Sequence, residues 1–390
     1  MAVRRVPEDP PDIQSAVNAS APGDRIEVTG PTWATSAAPP SARVTIDDLT
    51  IDYAYPGIGS FSLGPGVRSL ALPGLGTFLA TGNELDNRIV GGPGTGYLDG
   101  RGGDDFLAGG PGADSMAGGT GNDTYEVDNT THPPFGSMRV YAFLGDQAIE
   151  RLDEGWDAVW ASVDFTLPAH VEGLVLTGGA RRGVGNEAGN LIVGSGEADV
   201  LAGLGGDDEL RGGAGSDTYL VGGRGDRVVE EGTRFGPGFG IDEVLATVDY
   251  ELPTNVENLT LLEGTAAVWG SGNDRDNRII GNELDNRLVG WTGNDTLTGG
   301  AGDDMFFLQR QTGITITDFW PGAGSNDQVA FPRDMFASRE QAFAAAREGW
   351  TSSVEGRQTI VQIVPEGFIG VVTLLNTRLA DLTLDDILIV

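Results

Sequence analysis

Large apolar side chains recur along this chain at a fixed nine-residue spacing. The clearest stretch, 109–126, reads GGPGADSMA GGTGNDTYE, with one large apolar residue in the eighth place of each nine. Three blocks carry the pattern. The apolar places are Leu98, Leu107, Met116 and Tyr125, then Ile192, Leu201, Leu210 and Tyr219, then Ile279, Leu288, Leu297 and Phe306. So short a unit leaves room only for a brief strand whose apolar side chain faces inward, and a repeat of this kind specifies a solenoid. Between the blocks the period changes. DAVWASVDFTLPAHVEGLVL (157–176) matches DEVLATVDYELPTNVENLTL (242–261) in spacing and type. Alternation at Val159, Ala161 and Val163, and at Val244, Ala246 and Val248, predicts half-buried strands. A Leu-Pro break and a second strand at 174–176 or 259–261 follow, so these stretches read as wider coils of the same solenoid.

The polar places are as regular as the apolar ones. In block one, repeats begin at Gly82, Gly91, Gly100, Gly109 and Gly118, and their sixth places are Asn87, Gly96, Asp105, Asp114 and Asp123. Block two begins repeats at Gly185, Gly194, Gly203 and Gly212, giving Asn190, Asp199, Asp208 and Asp217. Block three begins them at Gly272, Gly281, Gly290 and Gly299, giving Asn277, Asn286, Asp295 and Asp304. Each block opens on Asn and closes on Asp. Glycine permits the tight, left-handed turns such a unit needs. Carboxylate and carbonyl oxygens, without His or Cys, form a hard-cation site, and flexible oxygen coordination favours calcium over magnesium.

In these repeats the chain resembles the RTX (repeats-in-toxin, hemolysin-type) family of calcium-binding β-rolls, whose signature is this nonapeptide. The resemblance implies an all-β fold, a right-handed parallel β-roll or β-helix solenoid with short capping helices. It implies several calcium ions, each held between turns eighteen residues apart. The donors would be the Asp and Asn residues named above, with the turn glycines Gly100, Gly102, Gly109, Gly118, Gly203, Gly212, Gly290 and Gly299. Paired aspartates, Asp105 with Asp123 and Asp199 with Asp217, should bind best. The mixed pairs Asn87/Asp105, Asn190/Asp208, Asn277/Asp295 and Asn286/Asp304 should bind more weakly, because Asn brings no charge.

Composition agrees with a cation-filled fold. The net charge is −33, with 57 acidic residues against 24 basic ones, all of them Arg. Such a charge opposes a compact state unless cations neutralise it, and it argues against nucleic acid or an anionic membrane as partner. There are 62 Gly and no Cys, so thiol and disulfide chemistry are absent. The opening MAVRRVPEDPPD lacks the apolar core of a Sec signal, and no run is long enough to span a bilayer. The family resemblance instead implies secretion through a type I ABC exporter that reads an uncleaved C-terminal signal. The ending LADLTLDDILIV has the acidic-then-apolar character of such signals.

The expected organisation is a cap with the first coils (1–80), block one (81–130), a connection (131–184), block two (185–222), a second connection (223–270), block three (271–308) and a C-terminal region (309–390) combining cap and secretion signal. PPDIQSAVNASAPGDRIEVT resembles the N-terminal cap of pectate-lyase-like right-handed β-helices, with a helix at 11–19 and a strand at 25–29. An Ala-rich helix is expected at 338–348. No HExxH or GxSxG occurs, and His132 and His170 are the only histidines. The expected function is a secreted calcium-binding protein with a structural, matrix or adhesive role, the partner being an extracellular polysaccharide or cell surface. The alternative is a polysaccharide lyase or epimerase drawing on Arg43, Asp47, Asp48, Asp52, Tyr53 and Tyr55.

Overall fold

The computed structural model describes residues 3–6, 25–28, 49–50, 58–63, 66–72, 76–129, 145–230, 240–309, 313–321, 327–353, 356–364 and 371–390. These residues form a parallel β-solenoid, and the chain divides into two compact units, 1–193 and 194–390.

In the first unit each apolar place stacks on the same place one coil away. Met116 lies opposite Leu98, while Tyr125 lies opposite Leu107 on one side and Val159 on the other. These side chains are fully buried or nearly so. One sheet runs Ile58–Ser62, Gly76–Thr81, Gly94–Gly102, Ser115–Thr120 and Gln147–Ile149. Facing it is a second parallel series that includes Arg88–Val90, Phe106–Ala108, Thr124–Val127, Ala158–Ala161 and Gly173–Leu176. Consecutive nonapeptides therefore alternate between two sheets, and each sheet contributes one stack of large side chains to the core.

The second unit repeats this plan. Strands Thr218–Val221, Glu243–Ala246, Asn258–Leu261, Arg278–Ile280, Asn294–Thr298 and Gly313–Ile316 follow in parallel. The series ends on Val372–Leu375, to which Gly356–Ile363 and Ala346–Ser353 add antiparallel. Opposite them, Arg287–Val289, Met305–Phe307, Gln328–Phe331 and Ile387–Ile389 pair in order.

The wider coils sit where the paired segments predict them, but their strands are shorter. Val159 and Ala161 are buried in Ala158–Ala161, whereas Val163 falls beyond the strand and is half-buried. Trp160, whose size and hydrophobicity in a strand pattern suggest the core, points outward and is 48% exposed. Its two buried neighbours fix the inward face, so a period-2 strand must turn Trp160 to the outside. The C-terminal helix is confined to Arg339–Ala344, capped by the Ser338 hydroxyl; from Ala346 the chain is a strand rather than helix. Of the segment expected to form an N-terminal cap, the structure describes Val3–Val6 and Arg25–Val28, which pair in parallel. The expected helix at 11–19, together with Arg43, Asp47, Asp48, Asp52, Tyr53, Tyr55 and His132, lies outside the described residues. Among the described residues, no helix is long and apolar enough to cross a membrane.

Candidate metal centres

The aspartates at the sixth place do two jobs, one for each side-chain oxygen. In block one, Asp105 Oδ1 accepts the backbone N–H of Asn87 at 2.6 Å, and Asp123 Oδ1 accepts that of Asp105 at 2.7 Å. On the other edge Asp114 Oδ1 accepts the N–H of Gly96 at 2.5 Å. In the second unit Asp217 accepts from Asp199 at 2.7 Å, Asp295 from Asn277 at 3.0 Å and Asp304 from Asn286 at 2.8 Å. Every link spans eighteen residues, as the family resemblance implies. The second oxygens are different. Oδ2 of Asp105, Asp114, Asp123, Asp217 and Asp295 is buried and has no hydrogen-bond partner. A buried charged oxygen in that state is costly unless a cation meets it.

The Asn residues that open each block are spent on the chain itself. Asn87, Asn190, Asn277 and Asn286 each accept, through Oδ1, the N–H of the residue four places earlier, at 2.7–2.8 Å. Their Nδ2 groups donate to Asn83 and Val67, to Val171, to Val256 and Glu257, and to Asn282 respectively. They act as neutral caps on the first turn. Asp199 behaves partly like them, since Ser195 donates both its backbone N–H (2.6 Å) and its hydroxyl to it. The sequence sets Asp199 level with Asp105; the geometry separates the two.

The first glycine of each repeat is required by crowding, not by turn conformation. A Cβ on Gly100, Gly203, Gly290 or Gly299 would stand 2.0–2.2 Å from Oδ2 of the aspartate five places on. The same position at Gly109, Gly118 and Gly212 is closed by Asp114, Asp123 and Asp217. Left-handed backbone occurs instead at the second and fourth places, as at Gly119 (φ 100°) and Gly121 (φ 130°). Arg101, Leu204 and Trp291 hold the second place at φ 67–80°, a strained position for a side chain. Gly102 lies at a strand end; the left-handed glycine of that repeat is Gly103.

Burial raises the carboxyls first, and neighbouring acids add to the effect. Asp105, Asp114, Asp217, Asp295 and Asp304 are pushed up to about 7, and Asp123 to about 6. Because these values exceed the unfolded one, the metal-free fold is favoured in acid and loses that stability as pH rises through about 6 to 7. Calcium needs the ionised form and must displace the proton. Calcium affinity should therefore rise with pH, by up to about tenfold per pH unit for each proton displaced, and level off above about pH 7, where the carboxyls are already ionised. Calorimetry in buffers of different ionisation heat should detect proton release at pH 6.5; finding none would contradict the assignment.

Sequence reasoning missed a further set of acids. Glu150 and Asp157 converge on Asp123, and Glu230 and Asp242 on Asp217; in each trio one oxygen per residue lies within 4.8 Å of the others. Asp157 Oδ1 accepts the N–H of Asp123 at 2.7 Å across 34 residues, and Asp242 that of Asp217 at 2.8 Å across 25. The available signal was the aspartate that begins both aligned segments, 157–176 and 242–261.

The unpartnered, buried Oδ2 atoms of Asp105, Asp114, Asp123, Asp217 and Asp295 fit calcium: they are all-oxygen donors beside glycines that admit no Cβ. The comparisons agree. The RTX calcium-binding nonapeptide repeat model matches four times, at residues 81–115, 90–125, 184–219 and 271–306. No curated protein matches the sequence. Among solved structures, the extracellular lipase LipA from Serratia marcescens aligns at 15% identity over 81% of this chain, with a TM-score of 0.16, too low to carry an argument. The chain spans 40% of that lipase's length. Four family matches on a ladder of half-satisfied aspartates make this chain a β-roll protein bearing the calcium-binding RTX nonapeptide repeat.

Proposed function

We propose that the protein is exported unfolded through a type I ABC exporter, folds outside the cell on calcium, and serves there as a structural or adhesive element. One observation carries the reading: buried carboxylate oxygens without partners are repeated at a fixed phase along the coils. Such a fold is poorly stable where calcium is scarce and stable where it is plentiful, which couples folding to export. The nonapeptide Asp residues are the proposed ligands, with Asp105, Asp114, Asp123, Asp217 and Asp295 first among them.

The C-terminal segment supports a two-stage role. Ile387 is fully buried and Ile387–Ile389 pairs with Gln328–Phe331, so in the folded protein this segment closes the last coil. An unfolded chain would leave it open to the exporter. Deleting Leu379–Val390 should abolish secretion by a type I system while blocks one and two still bind calcium. Continued secretion of the shortened chain would place the signal elsewhere.

An extracellular polysaccharide is the proposed adhesive partner. Trp156, Trp160, Trp291 and Trp320 are 42–68% exposed, and flat aromatic faces of this kind stack on sugar rings. Tryptophan fluorescence of the calcium-loaded protein, titrated with acidic and neutral glycans, tests this. A response lost in Trp156→Ala/Trp160→Ala would support it, and an unchanged spectrum with every glycan would dismiss it.

A further inference from the structure

The two acidic trios stand apart from the nonapeptide ladder. Between nonapeptides of one block, the accepting carboxylate comes from the repeat itself, eighteen residues away. In the trios, Glu150, Asp157, Glu230 and Asp242 come from outside the repeats, and they reach the last aspartate of the block across the connecting segment. A group of acids is not by itself a site. Here buried, unmet oxygens supply the second observation: three in the first trio and, in the second, Oδ2 of Asp217, which is 1% exposed. Asp123 is 1%, Asp157 0% and Glu150 8% exposed, and each presents one buried oxygen without a hydrogen-bond partner. Three such oxygens facing one another repel strongly unless something positive lies among them.

A tyrosine fixes the geometry. The Tyr125 hydroxyl accepts the N–H of Gly118 at 2.7 Å and donates to Glu150 Oε1 in a short bond. That leaves Glu150 Oε2 buried and without a hydrogen-bond partner. Tyr219 makes the same donation to Glu230 Oε1. The glycine is again obligatory, because a Cβ on Gly118 would stand 2.1 Å from Asp123 Oδ2 and 2.5 Å from the tyrosine oxygen. Block three provides an internal contrast. Phe306 replaces the tyrosine, and the N–H of Gly299 goes to Asp318 Oδ1 instead. No trio of this kind forms there among the described residues.

We infer that Asp123, Glu150 and Asp157 form one dedicated divalent-cation site, and Asp217, Glu230 and Asp242 a second, each pinning the connecting segment to the end of its block. This rests on the calcium reading proposed above. The sites are set apart by three convergent carboxylates, against one or two at a nonapeptide site, so they should hold calcium more tightly. Their ions would act as staples: they bridge 34 residues in the first unit and 25 in the second, where the links between nonapeptides of one block bridge eighteen.

The test is a count of calcium retained after equilibrium dialysis, for the full chain and for Glu150→Gln/Glu230→Gln. The substitution keeps the acceptor for the tyrosine and removes two charges. The variant should hold two fewer ions per chain, one for each trio, with nonapeptide binding and the β spectrum preserved. An equal count in both proteins overturns the inference and leaves calcium-dependent folding standing. A full-length chain that holds no calcium overturns both readings. Should the variant fail to fold, terbium(III) serves as a second probe. Each tyrosine hydroxyl bonds a proposed ligand, so tyrosine-excited terbium emission should fall severalfold in Tyr125→Phe/Tyr219→Phe, which copies the Phe of block three. Undiminished emission from that variant would also overturn the inference.

Discussion

Stripped of calcium by a chelator, the protein should show the circular dichroism of a largely disordered chain; millimolar calcium should restore a β spectrum, and magnesium should not. The balance of terms is local. Each nonapeptide buries a single large side chain, while ordering nine residues, many of them glycine, so the apolar gain per coil is small beside the conformational entropy lost. Strand hydrogen bonds recover part of that cost. Against them stands one buried carboxylate per Asp-type repeat, whose ionised form costs several kcal/mol without a counter-charge. Protonation relieves it only below about pH 6 to 7, given where Asp105 and Asp123 stand. At neutral pH the unliganded coils therefore carry a repeated penalty, and the net charge of −33 adds a long-range one. Calcium removes both. Magnesium demands near-ideal octahedral geometry and gives up water reluctantly, so coordination fixed by turns two repeats apart suits it poorly. Superimposable spectra with chelator and with calcium would refute the coupling.

The solenoid was legible because both of its periods are short-range. One apolar residue in nine, always in the same place, leaves no arrangement but a stack in which Met116 meets Leu98 and Tyr125 meets Leu107. The ladder was legible for the same reason, since spacing alone sets Asp105 below Asp123. What lay beyond reach depends on contacts across irregular lengths of chain. Nothing local announces that Asp157, 34 residues on, continues the rung after Asp123, or that Glu150 turns inward to meet it. The glycines were legible as a pattern but not as a cause. Left-handed turns explain Gly119 and Gly121, whereas Gly100 and Gly118 are excluded from bearing a Cβ by the carboxylate they face. Outward-facing Trp160 shows the limit of composition: size and hydrophobicity suggest burial, but the pleat direction set by Val159 and Ala161 decides.

Asp105→Ala should lower the calcium affinity of block one more than tenfold, equivalent to about 1.4 kcal/mol or more of binding free energy. Asp105 is 2% exposed and its Oδ2 has no hydrogen-bond partner, so the substitution deletes a charged ligand oxygen that the chain itself leaves unmet. It also strands the N–H of Asn87, which Oδ1 now accepts at 2.6 Å. Asp199→Ala should have a smaller effect on affinity, because that carboxylate already receives the N–H and hydroxyl of Ser195. Its loss should appear partly as instability of the turn. Asn286→Ala should leave the number of bound ions unchanged. That side chain is neutral and is used up on Asn282, accepting its N–H at 2.7 Å and donating to its Oδ1 at 3.0 Å. Its removal should cost about 1–2 kcal/mol of stability through those two bonds, visible as a lower melting temperature at saturating calcium. Calorimetric ion counts and thermal melts on the three variants separate the two effects. If Asn286→Ala lost an ion, or Asp105→Ala lost none, the division of labour between Asn caps and Asp ligands would fail. The ordering follows from where each side-chain oxygen points: inward and unmet at Asp105, shared at Asp199, and fully engaged by the chain at Asn286.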